Sequence, residues 1–176
     1  MRKNTTIKKL TVMAALTAAA LIIFIIEAQA PLPIAVPGVK LGLANTVTLF
    51  ALFYGSGSGR SGVRLTAADA FMILICRIIL GAVLTGRPAA IIYSFAGGVL
   101  AFLAQAVMRK LVTNNQMWAC GAVGAVFHNI GQIAAAIIIT KTPAIAAYLP
   151  VLAIAGVFTG ALTGLAAQLT LKRLSL

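Results

Sequence analysis

The chain has 176 residues, of which 61% are hydrophobic and 9% are charged, against roughly 25% charged in an ordinary soluble domain. A soluble globule of this size cannot bury so much apolar surface, so the composition predicts an integral membrane protein. The formal net charge of +12 is also typical of nucleic-acid-binding proteins. However, the basic residues stand singly or in pairs between long apolar runs, without the interleaved aromatic side chains that single-strand binding needs. We therefore interpret the excess charge as loop charge that fixes orientation in the membrane.

Six apolar segments approach the length of about 20 residues that a membrane-spanning helix needs. They lie near residues 10–26, 41–54, 67–84, 89–108, 117–140 and 148–171. The runs are continuous rather than alternating, which favours helices over strands. The sequence thus predicts an all-α protein with one six-helix transmembrane domain over residues 1–176. The second span is the shortest, and Pro31, Pro33 and Pro37 before it predict a partly unwound start.

The N-terminal 30 residues also resemble a secretory signal peptide. They have a basic start and the small-residue triplet Ala28-Gln29-Ala30, which matches a cleavage site. The apolar run is longer than the usual core of about 7–15 residues, and Glu27 intrudes just before the triplet. We therefore predict a retained first membrane helix.

The distribution of basic residues predicts that both ends lie in the cytoplasm. With the N-terminus inside, ten Lys and Arg residues fall in cytoplasmic segments and three in outer ones, a strong positive-inside bias. The inner set is Arg2, Lys3, Lys8, Lys9, Arg60, Arg64, Arg109, Lys110, Lys172 and Arg173. The outer set is Lys40, Arg87 and Lys141. The remaining basic residue, Arg77, lies inside the third span.

The glycine- and serine-rich segment at residues 55–62 has neither the lysine nor the preceding strand of a phosphate-binding loop. We predict a flexible cytoplasmic linker there. The following helix opens with Thr66 and Asp69 at the spacing of a capping box, which predicts a structural role for Asp69.

Stripes of small residues predict sites of close helix packing. Gly156, Gly160 and Gly164 recur every fourth residue in the last span, and Gly121 with Ala125 does so in the fifth. We expect these stripes to pack internally. The first span carries two overlapping pairs, Ala14/Ala18 and Ala15/Ala19. An alanine face of this kind packs either within the chain or against a separate membrane subunit.

Ionisable groups inside a membrane are costly and usually functional. Arg77 lies about 10–12 Å below the outer end of its helix by helical rise. Glu27 is the only acidic residue predicted on the outer side. Arg77 either pairs with Glu27 or faces an anionic ligand, and the two roles are compatible.

Polar residues of the second and fifth spans extend this cluster. His128, Asn129 and Gln132 are close enough in helical spacing to line one sector. Seven residues are the candidate substrate-binding set: Glu27, Lys40, Asn45, Arg77, His128, Asn129 and Gln132. Their net charge of about +1 with His neutral favours a ligand with an anionic group, and the apolar surroundings favour an apolar body.

The sequence contains few residue patterns that are suited to enzymatic catalysis. Glu27 and Asp69 are predicted at opposite membrane faces and cannot form an acid/base pair. The sequence has no metal-ligand pattern and no nucleophile elbow. Cys76 and Cys120 lie in apolar runs and are predicted to be packing residues. No catalytic residue, metal site or cofactor is predicted.

Three motifs carry a resemblance to a known family: EAQAPLP at residues 27–33, PGVKLGLAN at 37–45 and HNIGQ at 128–132. They resemble the Gx transporter family, whose members are often labelled heptaprenyl diphosphate synthase component I. That family is grouped with the substrate-binding S components of energy-coupling factor (ECF) transporters of the bacterial cytoplasmic membrane. The resemblance implies a six-helix protein that binds a vitamin or related nutrient near its outer face.

The resemblance also implies partners: a coupling transmembrane subunit and two ATPase subunits. S components dock on that subunit through alanine motifs in the first helix, and Ala14, Ala15, Ala18 and Ala19 match the pattern. Two other hypotheses stay open. One is a non-catalytic membrane subunit of a redox or quinone-linked complex. The other is a prenyl diphosphate synthase component, for which the chain lacks the aspartate-rich motifs that hold magnesium and diphosphate.

Overall fold

The structure, a computed structural model, describes residues 2–29, 42–54, 63–86 and 90–175. Six α-helices account for most of these residues, and no strand occurs among them. In chain order, the helices are α1 (Arg2–Gln29), α2 (Asn45–Tyr54), α3 (Ala67–Thr85), α4 (Ala90–Met108), α5 (Met117–Thr140) and α6 (Leu149–Ser175). Short 3-10 turns at Asn114–Gln116 and Pro143–Tyr148 lead into α5 and α6.

Five of the helices are long and apolar enough to cross a membrane: α1, α3, α4, α5 and α6. Their outer surfaces carry exposed large apolar side chains, which suits a lipid environment. Examples are Ile22, Ile79, Ile138, Ile154, Phe158 and Leu162. The length and composition of these helices make the chain a multi-pass, all-α membrane protein.

The α2 helix is shorter than the sequence predicted. It begins at Asn45 rather than near residue 41 and has 10 residues, which span about 15 Å at 1.5 Å per residue. The hydrocarbon core of a bilayer is about 30 Å thick, so α2 covers about half of it. Residues 42–44 form a turn in front of α2, with Gly42 at φ 78° and the N–H of Asn45 donating to the Gly42 carbonyl. The α1 helix contains the predicted first span and begins eight residues before it, at Arg2.

The α5 helix lies between α4 and α6, and its contacts with these two are the most extensive in the fold. Glycines permit this close approach. A Cβ on Gly121 would lie 2.3 Å from the Gly160 carbonyl oxygen, and one on Gly164 would lie 2.7 Å from the Met117 carbonyl oxygen. The glycine stripes therefore pack internally, as predicted. Gln168 of α6 also accepts a hydrogen bond from the N–H of Met117, the first residue of α5.

The α1 helix packs mainly on α3 and more lightly on α2. Its buried stripe consists of Ala20, Phe24 and Glu27, which follow helical spacing. At the other end of α1, the Lys9 ammonium lies 2.7 Å from the Asp69 carboxylate. Asp69 also completes the capping box with Thr66 at the start of α3. The structural role predicted for Asp69 is confirmed.

The two cysteines differ in environment. Cys120 is buried, and its thiol donates to the carbonyl of Gln105. Cys76 is exposed on the surface of the bundle, so the prediction that it is a packing residue is wrong.

Candidate functional site

The buried guanidinium of Arg77 is the centre of the candidate site. The side chain is 2% exposed, and its Nη2 donates a hydrogen bond of 2.9 Å to Asn45 Oδ1. Glu27 lies close enough to act on this charge electrostatically. The guanidinium carbon lies 6.0 Å from the centre of the Phe24 ring, within the range of a cation–π contact. The Nε of Arg77 is buried and has no hydrogen-bond partner.

Glu27 joins α1 to the turn that precedes α2. Its carboxylate accepts a hydrogen bond from the N–H of Gly42, and its side chain is 5% exposed. A buried carboxylate is tolerated only when it is paired and hydrogen-bonded. The Gly42 amide supplies the hydrogen bond, and the positive charge of Arg77 favours the carboxylate electrostatically. Glu27 therefore joins the end of α1 to the turn that precedes α2.

Asn45 links the ionic pair to α5. Its amide oxygen accepts from Arg77, and its Nδ2 lies 2.9 Å from Nδ1 of His128. Because an amide nitrogen only donates, Nδ1 of His128 is the acceptor and the imidazole is neutral in this arrangement. A chain of hydrogen bonds therefore runs from Arg77 through Asn45 to His128, joining α3, α2 and α5.

The imidazole of His128 is held between two glycines. A Cβ on Gly97 in α4 would lie 2.7 Å from His128 Nδ1, and a Cβ on Gly42 would lie 2.5 Å from His128 Cδ2. Neither glycine leaves room for a side chain, so the ring has its orientation fixed from both faces. Neither glycine was predicted to belong to the site. Gly42 lies within the motif at residues 37–45, but nothing in the sequence connected Gly97 to His128.

The other two candidate residues of α5, Gln132 and Asn129, lie on different sides of the helix. Gln132 is fully buried and lies beside His128, since both approach Gly97. Asn129 faces α6 instead, where its Nδ2 donates a hydrogen bond of 2.6 Å to the Leu152 carbonyl. The prediction that Asn129 shares one sector with His128 and Gln132 is wrong, because successive residues on a helix point about 100° apart. On α5, that angle separates the α4 side from the α6 side.

The charge of the described part of the cluster is balanced. Glu27 and Arg77 cancel, and His128 is neutral in its contact with Asn45. Lys40, which supplied the positive surplus in the sequence analysis, lies outside the described residues. The expected preference for an anionic ligand therefore depends on Lys40 and on the donor capacity that Arg77 retains at Nε.

The alanine face of α1 lies on the surface of the fold. Ala14, Ala15, Ala18 and Ala19 are all exposed, whereas Ala20, the next residue, is completely buried. This face therefore does not contribute to packing within the described chain. It contrasts with the glycine stripes of α5 and α6, which are used internally.

Comparisons with known proteins support the resemblance seen in the motifs. The family model described as heptaprenyl diphosphate synthase component I matches residues 16–170, and the match includes α2 to α5 entire, half of α1 and most of α6. No curated protein and no solved structure gave a significant match. A match over this share of the 176 residues shows that the chain belongs to the heptaprenyl diphosphate synthase component I family.

Proposed function

We propose that the chain is the substrate-binding subunit, or S component, of an ECF-type importer of the bacterial cytoplasmic membrane. In this proposal, the chain crosses the membrane six times and both of its ends lie in the cytoplasm. The observation that carries the proposal is the exposed alanine face of α1. A peripheral helix with four exposed alanines at residues 14, 15, 18 and 19 offers a smooth surface on which another transmembrane helix can pack closely.

The ligand site in this proposal is the cluster around Arg77. Non-helical backbone at membrane depth occurs where it is buried in protein or lines a polar cavity, and transporters bind substrates at such interrupted helices. Asn45, which directly follows the non-helical turn at residues 42–44, holds Arg77 by a hydrogen bond. The proposed ligand is a small nutrient with one anionic group and an apolar body, such as a vitamin, an isoprenoid or a quinone precursor.

Co-purification from the native membrane tests the partner assignment. Tagged protein is expected to bring down a coupling transmembrane subunit and two ATPases. Ala15→Leu and Ala19→Leu should reduce their recovery, because the added methyl groups hold the partner helix away. Ala166→Leu is the matched control, since Ala166 is an exposed alanine on α6. Wild-type protein that recovers no ATPase, or equal recovery with all three variants, would contradict the proposal.

A thermal-shift screen over vitamins, prenyl phosphates and quinone precursors tests the ligand site. A ligand that binds only the folded state at 100 times its Kd stabilises it by about 2.7 kcal/mol. Arg77→Ala should abolish the shift that a confirmed ligand produces, and Lys40→Ala should weaken it. If a folded Arg77→Ala variant keeps the full shift, the site assignment is wrong.

The family description favours a second candidate, a membrane component of a heptaprenyl diphosphate synthase. The chain has a single aspartate, and this residue, Asp69, is held by Lys9 and Thr66. It is therefore committed to structure rather than to holding magnesium and diphosphate. In this second candidate, another subunit supplies the catalytic residues. Adding the purified chain to that synthase and measuring product formation separates the candidates, because an S component leaves the rate unchanged.

A further inference from the structure

A second polar region lies beneath the Arg77 cluster, where α2, α4, α5 and α6 meet. It surrounds a narrow cavity lined by Asn45, Thr46, Gln105, Gly121, Thr159 and Thr163, among others. The cavity has a volume of about 10 Å³, which is close to the room that one water molecule needs. Its walls include the first turn of α2, so it lies directly against the residues that hold Arg77.

Two oxygen atoms at this cavity are buried and have no hydrogen-bond partner: Oγ1 of Thr46 and Oε1 of Gln105. Gln105 as a whole is 2% exposed. Leaving such a group without a partner costs about 1–3 kcal/mol, and buried polar groups in native proteins are almost always satisfied by protein or ordered water. Two unsatisfied oxygens at one cavity of this size indicate a shared ligand.

The hydrogen-bonding capacity of the walls defines that ligand. Thr159 and Thr163 donate their hydroxyl protons to carbonyls of their own helix, so only their lone pairs remain for the cavity. Gln105 Oε1 also only accepts, whereas the Thr46 hydroxyl can donate. The ligand must therefore donate two hydrogen bonds and accept one. A water molecule can donate two hydrogen bonds and accept one. A cation is disfavoured, because no carboxylate lines the cavity and an unpaired charge inside a membrane is costly.

We propose that this cavity holds one ordered water molecule that bridges Thr46 of α2 and Gln105 of α4. The water donates to Gln105 Oε1 and to a threonine hydroxyl of α6, and it accepts from Thr46. It ties the first turn of α2 to the helices below, while Asn45 ties the same turn to Arg77 and His128. Gly124 of α5 supports this arrangement, because a Cβ there would lie 2.2 Å from Gln105 Nε2 and would displace the amide.

A crystal structure of the full chain in a lipidic mesophase, at a resolution better than about 2 Å, tests the proposal directly. The expected result is a density peak at hydrogen-bonding distance, about 2.6–3.2 Å, from both Thr46 Oγ1 and Gln105 Oε1. An empty cavity, or a direct hydrogen bond between the two side chains, would overturn it. The wild-type protein is sufficient for this experiment, so it does not depend on whether variants fold.

Melting temperatures provide a second, independent test. Thr46→Val and Gln105→Met each remove one end of the bridge. The fall in melting temperature of the double variant should therefore be smaller than the sum of the falls in the two single variants. Thr48→Val is the matched control, because Thr48 is buried in α2 with an unpartnered hydroxyl but does not line the cavity. The falls in melting temperature caused by Thr48→Val and Gln105→Met should therefore be additive. Simple additivity in both pairs would refute the bridge, and a higher melting temperature in sodium chloride than in choline chloride would identify a cation instead.

Discussion

Substitution of Gly97 by alanine tests the packing around His128 with a single methyl group. The added Cβ would lie 2.7 Å from His128 Nδ1 and 2.8 Å from Gln132 Cγ, well inside van der Waals contact. The imidazole cannot retreat, because its other edge lies against Gly42. Gly97→Ala should therefore displace the ring and break its contact with Asn45.

The expected cost follows from two effects. Overpacking a close-packed interior costs about 1–3 kcal/mol, and the lost Asn45–His128 hydrogen bond costs about 0.5–1.5 kcal/mol. The combined loss of about 2–4 kcal/mol corresponds to a fall in Tm on the order of 5–15 °C for a chain of this length. A ligand bound at the Arg77 cluster should also bind more weakly, because Asn45 orients the guanidinium.

Gly98→Ala is the matched control, since Gly98 is the next residue of the same helix and is also buried. A Cβ there would meet the methyl ends of Leu74 at 3.1 Å and Ile78 at 3.4 Å, and such flexible ends can shift by a few tenths of an ångström. Replacing a helical glycine by alanine also gains up to about 1 kcal/mol in helix propensity. Gly98→Ala should therefore change stability by less than about 1 kcal/mol in either direction.

The buried thiol of Cys120 provides the assay. In a Cys76→Ser background, the exposed cysteine is absent and a maleimide dye labels the chain only when unfolding exposes Cys120. Labelling against temperature then gives the Tm of each variant in detergent. Equal melting temperatures for Gly97→Ala and Gly98→Ala would refute the conclusion that His128 is held rigidly between α4 and the turn.

Three further predictions concern other parts of the fold. Gly121→Ala should lower Tm more than Gly156→Ala. The methyl group added at Gly121 would meet the backbone of α6 at 2.3 Å, whereas the one added at Gly156 would first meet the side-chain amide of Asn129 at 2.8 Å. A smaller effect at Gly121 would contradict the assigned α5–α6 contact. Asp69→Asn should cost about 0.3–1 kcal/mol in unfolding free energy, because the neutral amide loses both the favourable charge at the start of α3 and the ion pair with Lys9, and an unchanged Tm would refute a structural role for the carboxylate. Arg77→Lys should lower the melting temperature, because a compact ammonium cannot reproduce both the hydrogen bond of the guanidinium to Asn45 and its contact with the Phe24 ring; unchanged stability would show that Arg77 acts there only as a charge.

Much of the fold was predictable from local patterns. Continuous apolar runs predict five of the long helices, and the spacing of Thr66 and Asp69 predicts the start of α3. The scarcity of acidic residues made Glu27 the natural partner of Arg77. These features depend on composition and short-range spacing, which the sequence displays directly.

Other features depend on contacts between distant elements. The start of α2 at Asn45 is fixed by Arg77 and His128, and neither contact is visible in the apolar run near residue 41. Gln105 was missed because one glutamine near the end of an apolar helix resembles an ordinary interfacial residue. Only its position opposite Thr46 shows that its amide lies at an internal cavity.

The position of Glu27 connects the two parts of the proposed function. Glu27 and the alanine face lie on the same helix, with Ala19 and Glu27 separated by about 12 Å of helical rise, and they point in different directions. The buried stripe that ends in Glu27 holds α1 against α3, while the alanines remain exposed on the other side. If the proposed function holds, an anionic ligand at Arg77 would compete with Glu27 for the favourable interaction with this positive charge, and the end of α1 would be held less firmly. Because a rigid helix transmits a change at one end to its whole length, ligand binding at Arg77 would then alter the presentation of the alanine face to a docked subunit.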